Sequence, residues 1–332
     1  MLLTTAASLF ASAAEVLPAV PTADKKVIRR WSVAGDPRGV AHGSDGTIYV
    51  GLAQPQAVIA VDPKSGEIRN RVILDSADIA STKELVTMRT NADRTRLYIA
   101  NGSDESASIL SLPDLGVLRE ITMEGETIRD ALPDPGGRYL YLLGRRVHVY
   151  DKNGTTELRT LPIEDPMAIA TNASGSLLAV VATEDFGNAK ATSVALFDTK
   201  TFTQVRRDPL QTTETIQAAM FGNRDRALIV LSRDHLFEKS GNALNTDRIC
   251  LPEGSGPQIA TLGGTDALLL YAERRCSASG AFSGTDRTVM PASLYGVNAY
   301  AVAYDKSSNA LIVTDRAGFL TLYSVPRVAT VR

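Results

Sequence analysis

Residues 37–74 read PRGVAHGSDGTIYVGLAQPQAVIAVDPKSGEIRNRVIL. Four short apolar runs, GVAH, TIYVG, AVIAV and IRNRVIL, are set apart by Ser-Asp-Gly, a Gln-Pro stretch and Asp-Pro-Lys-Ser-Gly. β-Branched and aromatic residues suit a pleated, half-buried surface, and Gly, Asp and Pro supply the tight turns between them. Four strands joined by short turns form an antiparallel meander. One such unit cannot bury its own apolar face and needs neighbours of the same kind.

The neighbours follow in the chain. Glu84–Met123 and Ile128–Ile163 repeat the pattern in register, aligning Ile48-Tyr49-Val50 with Leu97-Tyr98-Ile99 and Leu140-Tyr141-Leu142. The next apolar run ends each time near an Asp-containing turn, at Asp62-Pro63, Pro113-Asp114 and Asp151-Lys152. Further copies run over Asp165–Leu210, Ile216–Pro252, Gly256–Met290 and Val297–Val325. Copies of roughly 45 residues with four strands each are the signature of propeller blades. The seventh copy ends after three strands, and Val27–Val33 precedes the first. That N-terminal strand (27–33) completes the last blade and removes the free edges. The expected fold is therefore an all-β, seven-bladed β-propeller of four-stranded antiparallel blades. The sixth copy is irregular after its second strand, which keeps six or eight blades open. Asp78–Leu85 has the pattern of one short helical turn.

Composition narrows the class. Hydrophobic residues make up 44% of 332 residues, enough for a large core. Net charge is −2 with no basic stripe, so a nucleic-acid partner is not expected. No apolar stretch is long enough for a membrane span. Residues 1–14, MLLTTAASLFASAA, have no charge and contain the small-x-small pattern Ala11-Ser12-Ala13. They read as a signal peptide lacking its basic start, which implies a periplasmic or secreted protein. Residues 15–26 then form a flexible mature N-terminus, and 27–332 a single propeller domain, expected to be a monomer. Cys250 and Cys276 are a disulfide candidate in an exported chain.

The stretch from Leu97 to Ile121 resembles a repeat of the YVTN family of β-propellers. The resemblance lies in Leu97-Tyr98-Ile99-Ala100-Asn101, the Gly-Ser-Asp turn after it, the following strand, and the turn into a charged last strand. Copies one to three carry it well and copy four in part, whereas copies five to seven match by spacing. The resemblance implies the propeller fold. It says less about activity, since the family spans cell-surface, periplasmic binding, lactonase-like and dehydrogenase-subunit proteins. Trp-rich and paired-Gly propeller types fit less well, as the chain has one tryptophan, Trp31.

No HExxH, Walker, GxGxxG, GxSxG, EF-hand or CxxCH motif occurs, and the histidines are His42, His148 and His235. His42 and His148 read as structural, while His235 lies where a binding face is expected. In a propeller that face is made by the loops leading into each first strand and those joining second to third strands. Arg38, Arg129, Arg145, Arg233, His235, Arg274 and Asn298 fall in those loops and are the candidate ligand-binding residues. Guanidinium groups there suit a carboxylate or phosphate; the alternative is pairing with Asp36, Asp130, Asp185, Asp234 and Asp315. No cofactor is expected. A divalent metal at the channel mouth stays open, with Asp36, Asp130, Asp165, Glu214 and Asn298 as candidate ligands. Thr183–Thr192 and Arg274–Arg287 are the longest expected loops. The sequence thus points to an exported binding module for a protein or a small anionic ligand. A lactonase-like hydrolase and a non-catalytic propeller subunit of a periplasmic redox enzyme are the alternatives.

Overall fold

The computed structural model describes residues 15–22, 26–75, 86–101, 105–185, 190–210, 212–222, 225, 227–232, 235–248, 259–262, 267–270, 299–305 and 307–324. Regular structure among them is entirely β. Strands are numbered along the chain from β1 (Val27–Ser32). Blade one is β2 (Pro37–His42), β3 (Ile48–Ala53), β4 (Gln56–Val61) and β5 (Ile68–Asp75). Blade two is β6 (Val86–Thr90), β7 (Arg96–Asn101), β8 (Ser106–Ser111) and β9 (Val117–Thr122). Blade three is β10 (Asp130–Pro133), β11 (Tyr139–Leu143), β12 (Val147–Asp151) and β13 (Glu157–Leu161). Blade four is β14 (Pro166–Thr171), β15 (Leu177–Asp185), β16 (Lys190–Asp198) and β17 (Gln204–Pro209). Blade five is β18 (Ile216–Gly222), β19 (Ala227–Ser232), β20 (His235–Ser240) and β21 (Ala243–Arg248). Two strands of blade six are described, β22 (Ile259–Leu262) and β23 (Ala267–Leu270). Blade seven holds β24 (Ala299–Asp305), β25 (Ala310–Asp315) and β26 (Phe319–Ser324).

The first strands stand side by side: β2 by β6, β6 by β10, β10 by β14, β14 by β18, and β24 between β22 and β2. They are rich in small residues, among them Gly39, Ala41, Ala131, Ala168, Ala170, Ala301 and Ala303. Inner strands crowd toward an axis, and small side chains let them. The second strands carry the buried core, with Ile48-Tyr49-Val50 and Leu140-Tyr141-Leu142 at 0–1% exposure. These are the triplets whose spacing gave the repeat.

The ring closes as expected. β1 pairs antiparallel with β26, Trp31 opposite Leu320 and Ser32 opposite Phe319, as the fourth strand of blade seven. The segment expected as a flexible tail is docked where the structure describes it. Leu17 N donates to Gly66 O at 2.9 Å, Ile68 N to Glu15 O at 2.8 Å, Val20 N to Arg30 O at 2.8 Å and Ser32 N to Pro18 O at 2.9 Å. Leu17 is buried with Trp31, Val33 and Ile59 in one apolar cluster. The physical reason is that β1 and β5 each offer unpaired backbone groups along the seam, and residues 15–20 satisfy them.

One turn shape recurs between third and fourth strands of blades one to four. In three of them its fifth residue donates N–H to the first residue's carbonyl: Gly66 to Asp62, Leu115 to Ser111 and Phe202 to Asp198; in blade three Gly154 donates to Asp151. All four donors have positive φ, 78°, 56°, 54° and 66°. Where the residue has a side chain, it plugs the slot toward the preceding blade. Leu115 is 2% exposed among Tyr49, Val58 and Leu97, and Phe202 packs edge-on to Tyr139 at 5.1 Å. Where it is glycine, the preceding blade fills the slot instead. A Cβ on Gly66 would lie 2.3 Å from Trp31 Nε1, and one on Gly154 2.5 Å from Ile121 Cδ1.

Four expectations need revision or fall outside the described residues. The long loop expected at Thr183–Thr192 is mostly strand: the β15–β16 ladder runs on to Asp185↔Lys190. Its described residues, 183–185 and 190–192, are thus paired backbone. Asp78–Leu85, Arg274–Arg287, Cys250 and Cys276 lie outside the described residues.

Candidate functional site

The innermost strands of several blades begin with a β-bulge, which re-aims the extra residue. The register shifts at Arg38 in β2, Met167 in β14, Gln217 in β18 and Tyr300 in β24. These residues sit at the loop-face end of their strands, and Arg38, Met167 and Tyr300 reach a neighbouring blade. Arg38 is 4% exposed. Its Nε and Nη2 donate to Asp36 Oδ2 at 2.9 and 2.7 Å, and its guanidinium lies 4.7 Å from the Tyr300 ring centre. Arg316 approaches the same ring at 5.2 Å. Arg129 donates to the carbonyls of Gly144, at 2.7 Å, and Pro166. Thr87 Oγ1 donates to Arg129 O at 3.1 Å. Arg89 forks onto both oxygens of Asp130 at 2.8 and 2.7 Å.

These contacts place the expected arginines. Arg38 and Arg129 tie blade to blade, and Asp36 and Asp130 are engaged by arginines. Glu214 accepts from His235 Nδ1 at 2.5 Å and from the Ser232 hydroxyl. Among the described residues no three His, Cys, Asp or Glu side chains gather as a metal site would need. Arg233, Arg274 and Asn298 lie outside the described residues.

Arg145 is different. It lines a cleft of about 260 Å³ with Glu126, Arg146, Glu164 and Asp165, on the loop face between blades three and four. Arg145 N donates to Glu126 Oε2 at 3.0 Å, and Arg145 O accepts from Asp165 N at 2.8 Å. Arg146 pairs with Glu164 at 2.9 Å. Among the described residues, the Arg145 guanidinium and the Asp165 carboxylate have no hydrogen-bond or ion-pair partner.

The wall behind Arg145 is a hydrogen-bonded chain. His148 Nε2 lies 3.2 Å from Glu126 Oε2 and Nδ1 lies 2.9 Å from Glu157 Oε1. Thr160 Oγ1 also donates to Glu157 Oε1 at 2.6 Å. Burial pushes the Glu157 carboxyl up, yet the Thr160 and His148 hydrogen bonds outweigh it and hold the group below its usual range. His148, expected as structural, is structural here by holding Glu126 and through it the Arg145 backbone.

Sequence reasoning placed Arg145 and Asp165 on the loop face but missed Glu126 and Glu164. Glu126 meets His148 across 22 residues of chain, and no local pattern announces that.

Solved structures share the architecture. The chain superposes on a hydrazine synthase structure from Kuenenia stuttgartiensis with a TM-score of 0.67 at 13% identity, covering 88% of this chain and 96% of that one. It superposes on the Cps50 (Swd1) β-propeller domain of Myceliophteria thermophila with a TM-score of 0.63 at 13% identity, covering 90% and 100%. At such identity the likeness shows the propeller fold alone. No family profile and no curated protein sequence matches the chain.

Proposed function

We propose that the chain is a propeller binding module that takes a small anionic ligand at Arg145, in the cleft between blades three and four. The observation that carries this is a guanidinium without a partner among the described residues, mounted on a backbone fixed at both its N–H and its carbonyl. The planar guanidinium fork matches carboxylate or phosphate geometry, and the bonded backbone fixes where its stem starts. The described surface favours a small ligand over a docked protein. Its exposed large apolar residues, such as Ile73, Val117, Leu118, Leu158 and Val205, are spread around the outermost strands blade by blade. Scattered residues of this kind are ordinary surface.

Calorimetric titration of the full chain with propionate, succinate, phosphate and sulfate tests the reading. Arg145→Gln is expected to weaken the best of them roughly tenfold, the loss of a charge-assisted fork. Equal affinity for wild type and Arg145→Gln, or no binding to wild type, refutes it. The chain is also proposed to be exported, on the uncharged segment 1–14 and Ala11-Ser12-Ala13. Terminal sequencing of the mature protein should start at Glu15; a retained Met1 would count against export. The YVTN-like motifs of blades one to three are the ground for assigning the blades to that repeat type.

A further inference from the structure

The repeat supplies an internal control for Asp165. Asp36 and Asp165 occupy equivalent places, each directly before the proline that starts an innermost strand, Pro37 in β2 and Pro166 in β14. Both adopt the left-handed conformation, with φ of 57° and 45°. Both are followed by Pro and then by the bulged residue. In blade one that residue is Arg38, which takes the Asp36 carboxylate. In blade four it is Met167, whose sulfur instead lies 3.5 Å from Thr183 Oγ1 and 3.4 Å from Ile216 N. The same turn therefore holds an acid that is internally satisfied in one blade and open to the cleft in the other.

Asp165 is fixed as firmly as Arg145. Its N–H is bonded to Arg145 O at 2.8 Å, and the carbonyl of the next residue, Pro166, accepts from Arg129. The two backbones are bonded to one another, yet among the described residues the two side chains form no ion pair. The cleft thus presents one positive and one negative group held apart.

We infer that the cleft recognises a zwitterion, an amino acid or ω-amino acid whose carboxylate meets Arg145 and whose ammonium meets Asp165. This rests on the anion reading of Arg145 given above. The volume suits it, since about 260 Å³ is below the roughly 300–1,000 Å³ of drug-sized pockets. A ligand bearing both charges satisfies both groups at once, whereas a simple anion leaves Asp165 beside its own charge. An Arg–Asp pair closed on itself at this exposed site would have added little stability, so leaving it open costs the fold little.

The experiment is calorimetric titration of the full chain with glycine, β-alanine, γ-aminobutyrate, propionate and propylamine. At least one aminocarboxylate is expected to bind wild type roughly tenfold more tightly than propionate, one added charge-assisted contact. Asp165→Asn should erase that preference and leave propionate unchanged or slightly improved. Asn tolerates the left-handed backbone, so the turn is retained, and a thermal melt checks it. Arg145→Gln should weaken aminocarboxylates and propionate alike. Equal binding of aminocarboxylates and propionate to wild type, a result that needs no variant, overturns the zwitterion and leaves the anion reading standing. A preference that survives Asp165→Asn overturns it too. If no carboxylate binds wild type, the zwitterion falls, and the anion reading falls with it unless phosphate or sulfate binds in the titration above.

Discussion

Blades one to four and blade five fill the slot beside their third turn with different chemistry. In blades one to four each third turn brings an apolar group into the slot before its blade: Trp31 over Gly66, Leu115, Ile121 over Gly154, and Phe202. The outer ladders of these blades also share a bulge, at Ala60/Val61, Ile109/Leu110, Val149/Tyr150 and Leu196/Phe197. Blade five has neither feature. Its outer ladder runs unbroken from His235↔Arg248 to Ser240↔Ala243 around Gly241 and Asn242. The slot before it is bridged by polar groups: Arg206 donates to Gly241 O and to Asn242 Oδ1 at 3.0 Å, and Lys239 reaches Asp208 at 3.6 Å. A buried apolar plug contributes about 1.5–3 kcal/mol, a net hydrogen bond such as those of Arg206 about 0.5–1.5. At this outer slot blades one to four are thus plugged where blade five is strapped, although blades four and five still share a buried apolar cluster around Val181, Ile216 and Phe237.

The contrast can be broken hardest at the seam. Trp31, 2% exposed, touches blade one, β26 and the docked N-terminal segment. Trp31→Ala is expected to lower unfolding free energy by about 3–5 kcal/mol in a denaturant titration. A loss under 1 kcal/mol would mean that the closure is not tightly packed.

His42 tests the same junction from the opposite face. It ends β2 close enough to feel Asp305 at the end of β24, and its Nε2 is buried without a hydrogen-bond partner. Burial, with help from Arg94, pushes its pKa down to about 4 from 6.5, against the pull of Asp305. The unfolded chain therefore binds a proton that the folded chain refuses. Stability is full above pH 6.5 and falls as pH drops toward 4, by on the order of 3 kcal/mol in all. His42→Gln should flatten that part of the pH–stability curve; an unchanged slope would place the acid sensitivity elsewhere.

Two smaller substitutions compare plug with strap directly. Leu115→Ala is expected to cost roughly 2–3 kcal/mol, the transfer loss plus a cavity. Arg206→Gln should cost under about 1 kcal/mol. Equal losses in urea unfolding would erase the distinction between the two.

Much of the ring was legible because its signals are local. Ile48-Tyr49-Val50 and its counterparts announce second strands by alternation, and the three-strand seventh copy asked for Val27–Val33 as its fourth. The docking of residues 15–20 was not legible. EVLPAV has four apolar residues split by a proline and no period, and it is ordered by backbone groups of distant strands and by the pocket that takes Leu17. The site was half legible for a related reason. Residue type located Arg38, Arg129 and Arg145 on the loop face, but not their partners. One bulged residue, arginine in blade one and methionine in blade four, decides whether the adjacent aspartate is engaged. A repeat profile treats that position as loop noise.

The single tryptophan gives the molecule a built-in optical gauge. Its indole is sealed only when the earliest-synthesised strand meets the latest, so its emission should stay red-shifted through the growth of the ring and shift blue at the last step. Any partial opening in the native state that parts β1 from β26 would be visible in the same signal, while rearrangements confined to blades two to five would leave it dark.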